Sequence, residues 1–244
     1  MKQKNRNKEI GMKKIIAFLL VIILVISTFV VAENEQEYDN TVSRAEFARI
    51  VAGLLGLSEW FSRQGETPFV DVPIEHWASG YILSLSWQHP GIARGDSGRL
   101  DSRGHFHPNS NSRFRPDDAI LVEEAIAMLV RALGYAPMAR AEVFGRFPNN
   151  YAIVAERSGL TENIEFEFGE YATRDLIYKL INRALDVPLM WAIVSGGNHF
   201  FIADGRGDRP LWTLRIQNWN NASVYFDGWD FVILDEEYET EEAE

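Results

Sequence analysis

Three stretches of the chain repeat one pattern, a polar or acidic start followed by apolar residues at helical spacing. In Val42–Leu55, VSRAEFARIVAGLL, the apolar positions are Phe47, Ile50, Val51, Leu54 and Leu55. In Asp118–Gly134, DAILVEEAIAMLVRALG, they are Val122, Ala125, Ile126, Leu129, Val130 and Leu133. In Tyr171–Leu185, YATRDLIYKLINRAL, they are Leu176, Ile177, Leu180, Ile181, Ala184 and Leu185. Each spacing draws one apolar stripe along one helix face. Three such helices in one chain predict a repeated unit whose stripes are buried together. The first copy opens on Ser43-Arg44-Ala45-Glu46, which predicts a capping box. The Ser43 hydroxyl accepts from the Glu46 amide, while Glu46 reaches back to the Ser43 amide. Such a cap contributes about 1 kcal/mol. Arg44 then falls in the first turn, where the helix dipole favours anions rather than cations. It is expected to point outward, as a solvated arginine or one with a role outside the helix.

The segments between these helices carry other patterns. Residues 33–41, ENEQEYDNT, form a polar linker with no apolar period. Trp77, Tyr81, Ile82 and Leu85 mark a further helix that ends before Pro90, with Pro73 at its entry, where proline is tolerated. Residues 96–111, DSGRLDSRGHFHPNSN, read as an insertion in a surface loop, and HFHPN echoes the RFRPD that follows. From Trp191 to Leu234, short apolar runs are broken by Gly-Gly, Asp-Gly, Gly-Asp and Asn-Asn, the signature of a small β-meander or hairpin array. Trp212, Trp219, Tyr225, Phe226, Trp229 and Phe231 supply either the core of that small sheet or a carbohydrate-stacking face. The last ten residues, Asp235–Glu244, hold seven acids and are expected to stay solvated and disordered.

Lys13-Lys14 followed by IIAFLLVIILVISTFVVA (Ile15–Ala32) is the pattern of a secretory signal, so residues 1–32 are read as a signal peptide. An uncleaved anchor is the alternative, and MKKII from Met12 already forms a complete basic region. The chain has 244 residues and no cysteine. This excludes disulfides, thiolate metal sites and a lipid-bearing cysteine, so stability rests on packing. Formal net charge is −11, and loss of residues 1–32, with six Lys/Arg and one Glu, moves it to −16. Bulk electrostatics therefore oppose nucleic acid, anionic lipid and anionic wall polymers alike. Membrane contact is expected only through the N-terminal segment, and an anionic ligand would need local arginines.

The motif order resembles the S-layer homology family, whose unit reads DVPxxHWAxxAI, GIxxG and FRPxxxITRAEFAxLLxRALG. One unit here offers FVDVPIEHWASGYI (Phe69–Ile82), GIARG (Gly91–Gly95), RFRPDDAI (Arg113–Ile120) and a helix ending LVRALGY. The next offers FPNNYAIVAERSGL (Phe147–Leu160) and FGEYATRDLIYKLINRALDVPLM (Phe168–Met190), and the SRAEFA helix is the closing half of a partial first unit. The resemblance covers residues 42–190. It implies a mainly α fold, a pseudo-threefold bundle of three long helices with shorter ones, followed here by a small β-rich segment at 191–234. It also implies noncovalent anchoring to a secondary cell-wall polysaccharide bearing ketal-linked pyruvate, in grooves between units. Other surface proteins are a second class of partner, and the expected location is secreted, at the cell wall.

In that family the motif arginine and neighbouring aromatic and glycine positions line the groove. Arg44 and Arg174 match the arginine, Glu46 and Glu124 the acid, Trp77 the HWA tryptophan and Gly95 the closing glycine. Arg115 of the FRP element is a further candidate for the glycan. A guanidinium suits a pyruvyl carboxylate, and sugar faces stack on aromatic rings. Leu121-Val122 replace the motif Thr-Arg in the second helix, Leu176 replaces the acid in the third, and Phe147 or Tyr151 stands in for the missing second tryptophan. Each candidate also has a plainer reading. Trp77 suits a core, Gly95 a turn with positive φ, Arg115 a loop tie, and Phe114 with Pro116 a packed turn.

Other chemistries find little support. His105 and His107 alternate if extended, with Asp96 and Asp101 nearby, but no second cluster joins them, and no metal or cofactor is expected. Arg206-Gly207-Asp208 is read as coincidence in a glycine-rich turn. No phosphate loop, nucleophile elbow or HExxH occurs. The residues left outside the repeats, about 45 to 55, are too few for an ordinary catalytic domain, so an enzyme is not expected.

Overall fold

The computed structural model describes residues 40–57, 66–87, 91–101, 105–195, 198–203, 213–215 and 224–233. Residues 1–32, read above as a signal peptide, most of the polar linker, Trp212, Trp219, Arg206-Gly207-Asp208 and the acidic tail lie outside the described residues. The chain divides into two compact units, Met1–Thr41 and Val42–Glu244, and the elements below all belong to the second. Helices dominate: α1 (Arg44–Leu54), α2 (Ser79–Trp87), α3 (Val122–Ala132), α4 (Ala136–Ala139), α5 (Asn149–Arg157) and α6 (Arg174–Asp186). Among the described residues, three antiparallel two-stranded hairpins accompany them: β1 (Gly98–Leu100) with β2 (Phe106–Pro108), β3 (Met190–Ser195) with β4 (Asn198–Ala203), and β5 (Val224–Phe226) with β6 (Phe231–Ile233).

The three stripes do what their spacing predicts. Phe47, Val51 and Leu54 of α1, Ile126, Leu129 and Val130 of α3, and Ile177, Leu180 and Ile181 of α6 are buried in one cluster. Leu55 and Leu176 are only partly buried, at the edge of that cluster. The capping box of α1 forms in full. The Glu46 amide donates to Ser43 Oγ at 3.1 Å, and the Ser43 amide donates to Glu46 Oε2 at 2.7 Å. Thr173 caps α6 by accepting from the Leu176 amide. Leu121 has no side-chain oxygen to cap α3, and Glu124 Oε2 alone accepts from the Leu121 amide at 3.3 Å.

Immediately before α1, α3 and α6, the chain passes through Val42, Ile120 and Ala172, each two residues ahead of its helix and each buried. Their backbones close a ring. The Val42 amide donates to the Ala172 carbonyl (3.1 Å), Ala172 to Ile120 (2.8 Å), and Ile120 to Val42 (2.9 Å). Each strand-like entry thus satisfies its neighbour, so the three helix starts are fixed together without a sheet.

The insertion at 96–111 is not a featureless surface loop; it folds as the β1–β2 hairpin. Phe106 lies over Gly98, where a Cβ would come within 2.5 Å of the ring. Asp101 closes the turn, accepting from the His105 amide at 2.9 Å and meeting His105 Nδ1 and His107 Nε2 at 3.0 and 3.2 Å. Among the described residues after 189, the strands pair as two antiparallel hairpins, β3–β4 and β5–β6.

The start of β3 is tied to the end of α3, where Gly134 has φ +85° and an added Cβ would lie 2.3 Å from the Met190 carbonyl oxygen. Gly134→Ala is therefore expected to destabilise the unit by about 1–3 kcal/mol, since it combines left-handed backbone with a backbone clash. A lower urea midpoint at unchanged m-value is the expected observation.

Candidate functional site

Arg44 and Arg174 are the first residues of their helices, and each reaches the third residue of another. Arg44 Nη1 of α1 meets Glu124 Oε2 of α3 at 2.6 Å, and Arg174 Nη2 of α6 meets Glu46 Oε1 of α1 at 3.0 Å. The step from α3 to α6 would use positions 122 and 176. These hold Val122 and Leu176, which line a single cavity of 170 Å³ with Glu165, Glu167 and Glu170. Both charges are absent from that step together. A buried pair can give way to two apolar residues at little cost, whereas loss of one partner strands the other.

Arg44 does not point outward. It is 5% exposed, with Nε donating to the Phe114 carbonyl at 2.5 Å and Nη2 to the Arg94 carbonyl at 3.3 Å. Its guanidinium lies 4.7 Å from the Phe114 ring centroid. Sequence spacing placed it on the helix exterior, but that exterior faces the RFRPD turn and Glu124. Burial lowers its pKa, and Glu124 works against that shift.

Arg44 forms part of a 290 Å³ cavity lined also by Arg94, Gly95, Asp96, Phe106, Arg115, Glu124, Met128, Arg131 and Phe147. Four guanidinium groups thus face two carboxylates in an otherwise acidic chain. Arg115 Nη2 bonds Glu124 Oε1 at 2.7 Å, whereas its buried Nε has no hydrogen-bond partner among the described residues. Arg131 donates through Nη1 to the Ile92 carbonyl (3.1 Å) and lies 4.9 Å from the Tyr151 ring. Burial, then the neighbouring Arg131, pushes Arg94 down to about 10, so it remains a cation at neutral pH. Burial alone would raise the Tyr151 phenol, yet Arg131 and Arg94 bring it below its ordinary value. The Tyr151 phenol therefore registers a locally positive field.

The walls come from separate parts of the chain: Arg44 from α1, Arg131 from α3, Arg94 and Arg115 from the stretch between α2 and α3, and Phe147 from just before α5. Phe147 is 51% exposed and meets Tyr151 edge to face, leaving an aromatic surface at the rim. Phe106 brings the inserted hairpin into the wall, with the Arg94 guanidinium 5.6 Å from its ring. Gly95 lines the cavity without a positive φ; it is needed because a Cβ would come within 2.2 Å of Ser112 Oγ. Arg115 also ties its turn, whose amides at Phe114 and Arg115 donate to Asp71 at 2.8 and 2.7 Å.

Of the candidates read from sequence, Arg44, Gly95, Arg115, Glu124 and Phe147 share this cavity, while Glu46 and Arg174 pair at a different helix contact. Trp77 is not among the lining residues. It is no core aromatic either, being 53% exposed and stacked on His76. Arg94 and Arg131 were missed, although GIARG and LVRALG carry them. A single arginine inside a motif has no local feature that distinguishes a lining residue from a solvated one.

Glu46 makes the helix contact sensitive to acid. Burial raises its pKa, but the Ser43 amide and Arg174 outweigh that and hold it below the usual 4.5. A carboxylate lowered in the folded state contributes stability above its unfolded pKa and loses it as pH falls through the folded value. Urea midpoints should fall below about pH 4.5, and Glu46→Gln should flatten part of that fall.

Three curated proteins align with the chain. A middle cell wall protein of Brevibacillus brevis is 30% identical over 164 residues, covering 67% of this chain and 14% of the relative. A cell surface protein of Thermoanaerobacter kivui is 28% identical over 154 residues, 62% of this chain and 17% of its own length. A surface layer protein of Brevibacillus choshinensis is 29% identical over 160 residues, 65% of this chain and 12% of its own. The chain is an S-layer-type protein of the cell surface. It spans less than a fifth of the length of these relatives, and none of their names is that of an enzyme. No family profile matches the chain, and no solved structure matches it.

Proposed function

We propose that the chain is a non-catalytic envelope protein that holds an acidic, pyruvate-bearing wall polysaccharide noncovalently. On this reading three S-layer homology units share a pseudo-threefold axis through the Val42–Ile120–Ala172 hydrogen-bond ring. The ligand lies in the cavity of Arg44, Arg94, Arg115 and Arg131. The observation that carries the proposal is the convergence of four guanidinium groups, one with a buried unpartnered Nε, on a single cavity with an aromatic rim. A carboxylate would accept from Arg115 and complete the field of Arg94 and Arg131, while Phe147 meets a sugar face. Arg44 has a different role from the one its motif position implies. Held by Glu124 and two carbonyls, it positions the wall rather than waiting for a ligand.

The experiment is co-sedimentation of the chain with Gram-positive sacculi, intact or stripped of secondary polymer by acid. Binding to intact walls alone is expected. Equal binding to both, or to neither by a folded chain, would refute polymer anchoring. A second reading, an extracellular protein–protein adaptor, draws on the α3–α6 contact, where Val122 and Leu176 line a cavity with Glu165, Glu167 and Glu170 and the described lining residues include no arginine. Retention of a surface-protein partner by a variant that no longer binds walls would favour it.

A further inference from the structure

Phe106 of the β1–β2 hairpin lines two cavities. One is the arginine cavity, where the Arg94 guanidinium lies 5.6 Å from its ring centroid. The other is a space of 390 Å³ at the end of α2, lined also by Trp87, Gly91, His105 and His107. Two glycines let Phe106 sit between them. A Cβ on Gly98 would come within 2.5 Å of its ring, and one on Gly91 within 3.1 Å of its own Cβ. The two spaces therefore adjoin across one fixed aromatic wall. The hairpin lies in the 96–111 insertion, outside the repeated motifs.

The second space suits a different ligand chemistry. Trp87, 80% exposed, offers an indole face. No guanidinium or ammonium lines the space among the described residues, so nothing there would offset a desolvated carboxylate. Its polar groups favour hydrogen-bond donors instead. Asp101 Oδ2 meets His105 Nδ1 at 3.0 Å and His107 Nε2 at 3.2 Å. A carboxylate only accepts, so those ring nitrogens carry protons, and in a neutral His107 ring Nδ1 is then an acceptor. A cation would also bring donors, but the four guanidinium groups of the adjoining cavity oppose it. A neutral ring with hydroxyl donors on its edge and an apolar face meets both conditions, and that is a sugar.

We propose that this groove is a subsite for a neutral sugar, the residue next to the pyruvylated one in the same polymer, with Trp87 as its platform and His107 as acceptor for a hydroxyl. This assignment rests on the proposed function and deepens it, because full affinity then requires two consecutive sugars.

The test follows the Trp87 indole N–H by NMR, assigned with Trp87→Phe, while the full chain is titrated with a pyruvylated wall oligosaccharide or with the same oligosaccharide after removal of its ketals. Both should shift Trp87, the neutral one only at higher concentration. Trp87→Ala should weaken the pyruvylated oligosaccharide by about 10-fold, the loss of a ring face and its alignment with one hydrogen bond, at an unchanged urea midpoint. The pyruvylated monosaccharide should bind the parent and Trp87→Ala alike. Binding of the pyruvylated oligosaccharide with no movement of Trp87 and no loss in Trp87→Ala would overturn the subsite and leave the proposed function standing. Shifts of equal strength with both oligosaccharides would support the subsite and count against the arginine cavity. A Trp87 response to neither, or only to a lysine-rich peptide, would overturn the subsite, and the binding of the pyruvylated monosaccharide would still decide the proposed function.

Discussion

Glu124→Ala is expected to lower stability by about 3–5 kcal/mol, the cost of removing one partner from a buried ion pair. Glu124 accepts from Arg44 at 2.6 Å and Arg115 at 2.7 Å, and also from the Leu121 amide at the start of α3. Its loss leaves Arg44, 5% exposed, with two carbonyl acceptors and no carboxylate partner among the described residues. The chain itself indicates the remedy, since the α3–α6 step carries Val122 and Leu176 where this step carries Arg44 and Glu124. Arg44→Val combined with Glu124→Leu should recover most of the loss, a coupling that urea unfolding of the single and double variants measures directly. Additive losses would mean that the two residues do not act as a pair.

Arg115→Gln is expected to weaken binding to the wall polymer by roughly 10- to 100-fold, the range for a hydrogen bond to a charged group. Stability should change far less, because the Arg115 side chain is partly exposed and Glu124 keeps Arg44. Arg115→Lys retains charge but loses the planar fork, and it should fall between the two. Equilibrium binding to purified polymer, with the urea midpoint as a control, separates affinity from folding. An unchanged affinity for Arg115→Gln would remove Arg115 from the site.

The parts of the fold set by neighbours in sequence were legible in advance. Apolar stripes at a spacing of three and four marked α1, α3 and α6, and Ser43 with Glu46 marked a capping box. The burial of Arg44 was not legible, because its partners Glu124 and Phe114 lie far along the chain. Local electrostatics gave only a cation at an unfavourable helix end. Val122 and Leu176 read as two separate departures from a motif. Their relation emerges only when Arg44–Glu124 and Arg174–Glu46 trace the same step between helices. Trp77 is exposed rather than part of the core because it precedes α2 instead of lying on its inner face. The 96–111 insertion had the glycine and aromatic of a hairpin, but Phe106 becomes a cavity wall only through Gly98 and Arg94.

The most direct test of the central claim is titration of the chain with a pyruvylated wall polysaccharide and with the same polymer after removal of its ketals. Saturable binding to the first, lost or greatly weakened with the second, is the result expected if Arg94, Arg115 and Arg131 hold a carboxylate. Equal affinity for the two polymers would contradict it.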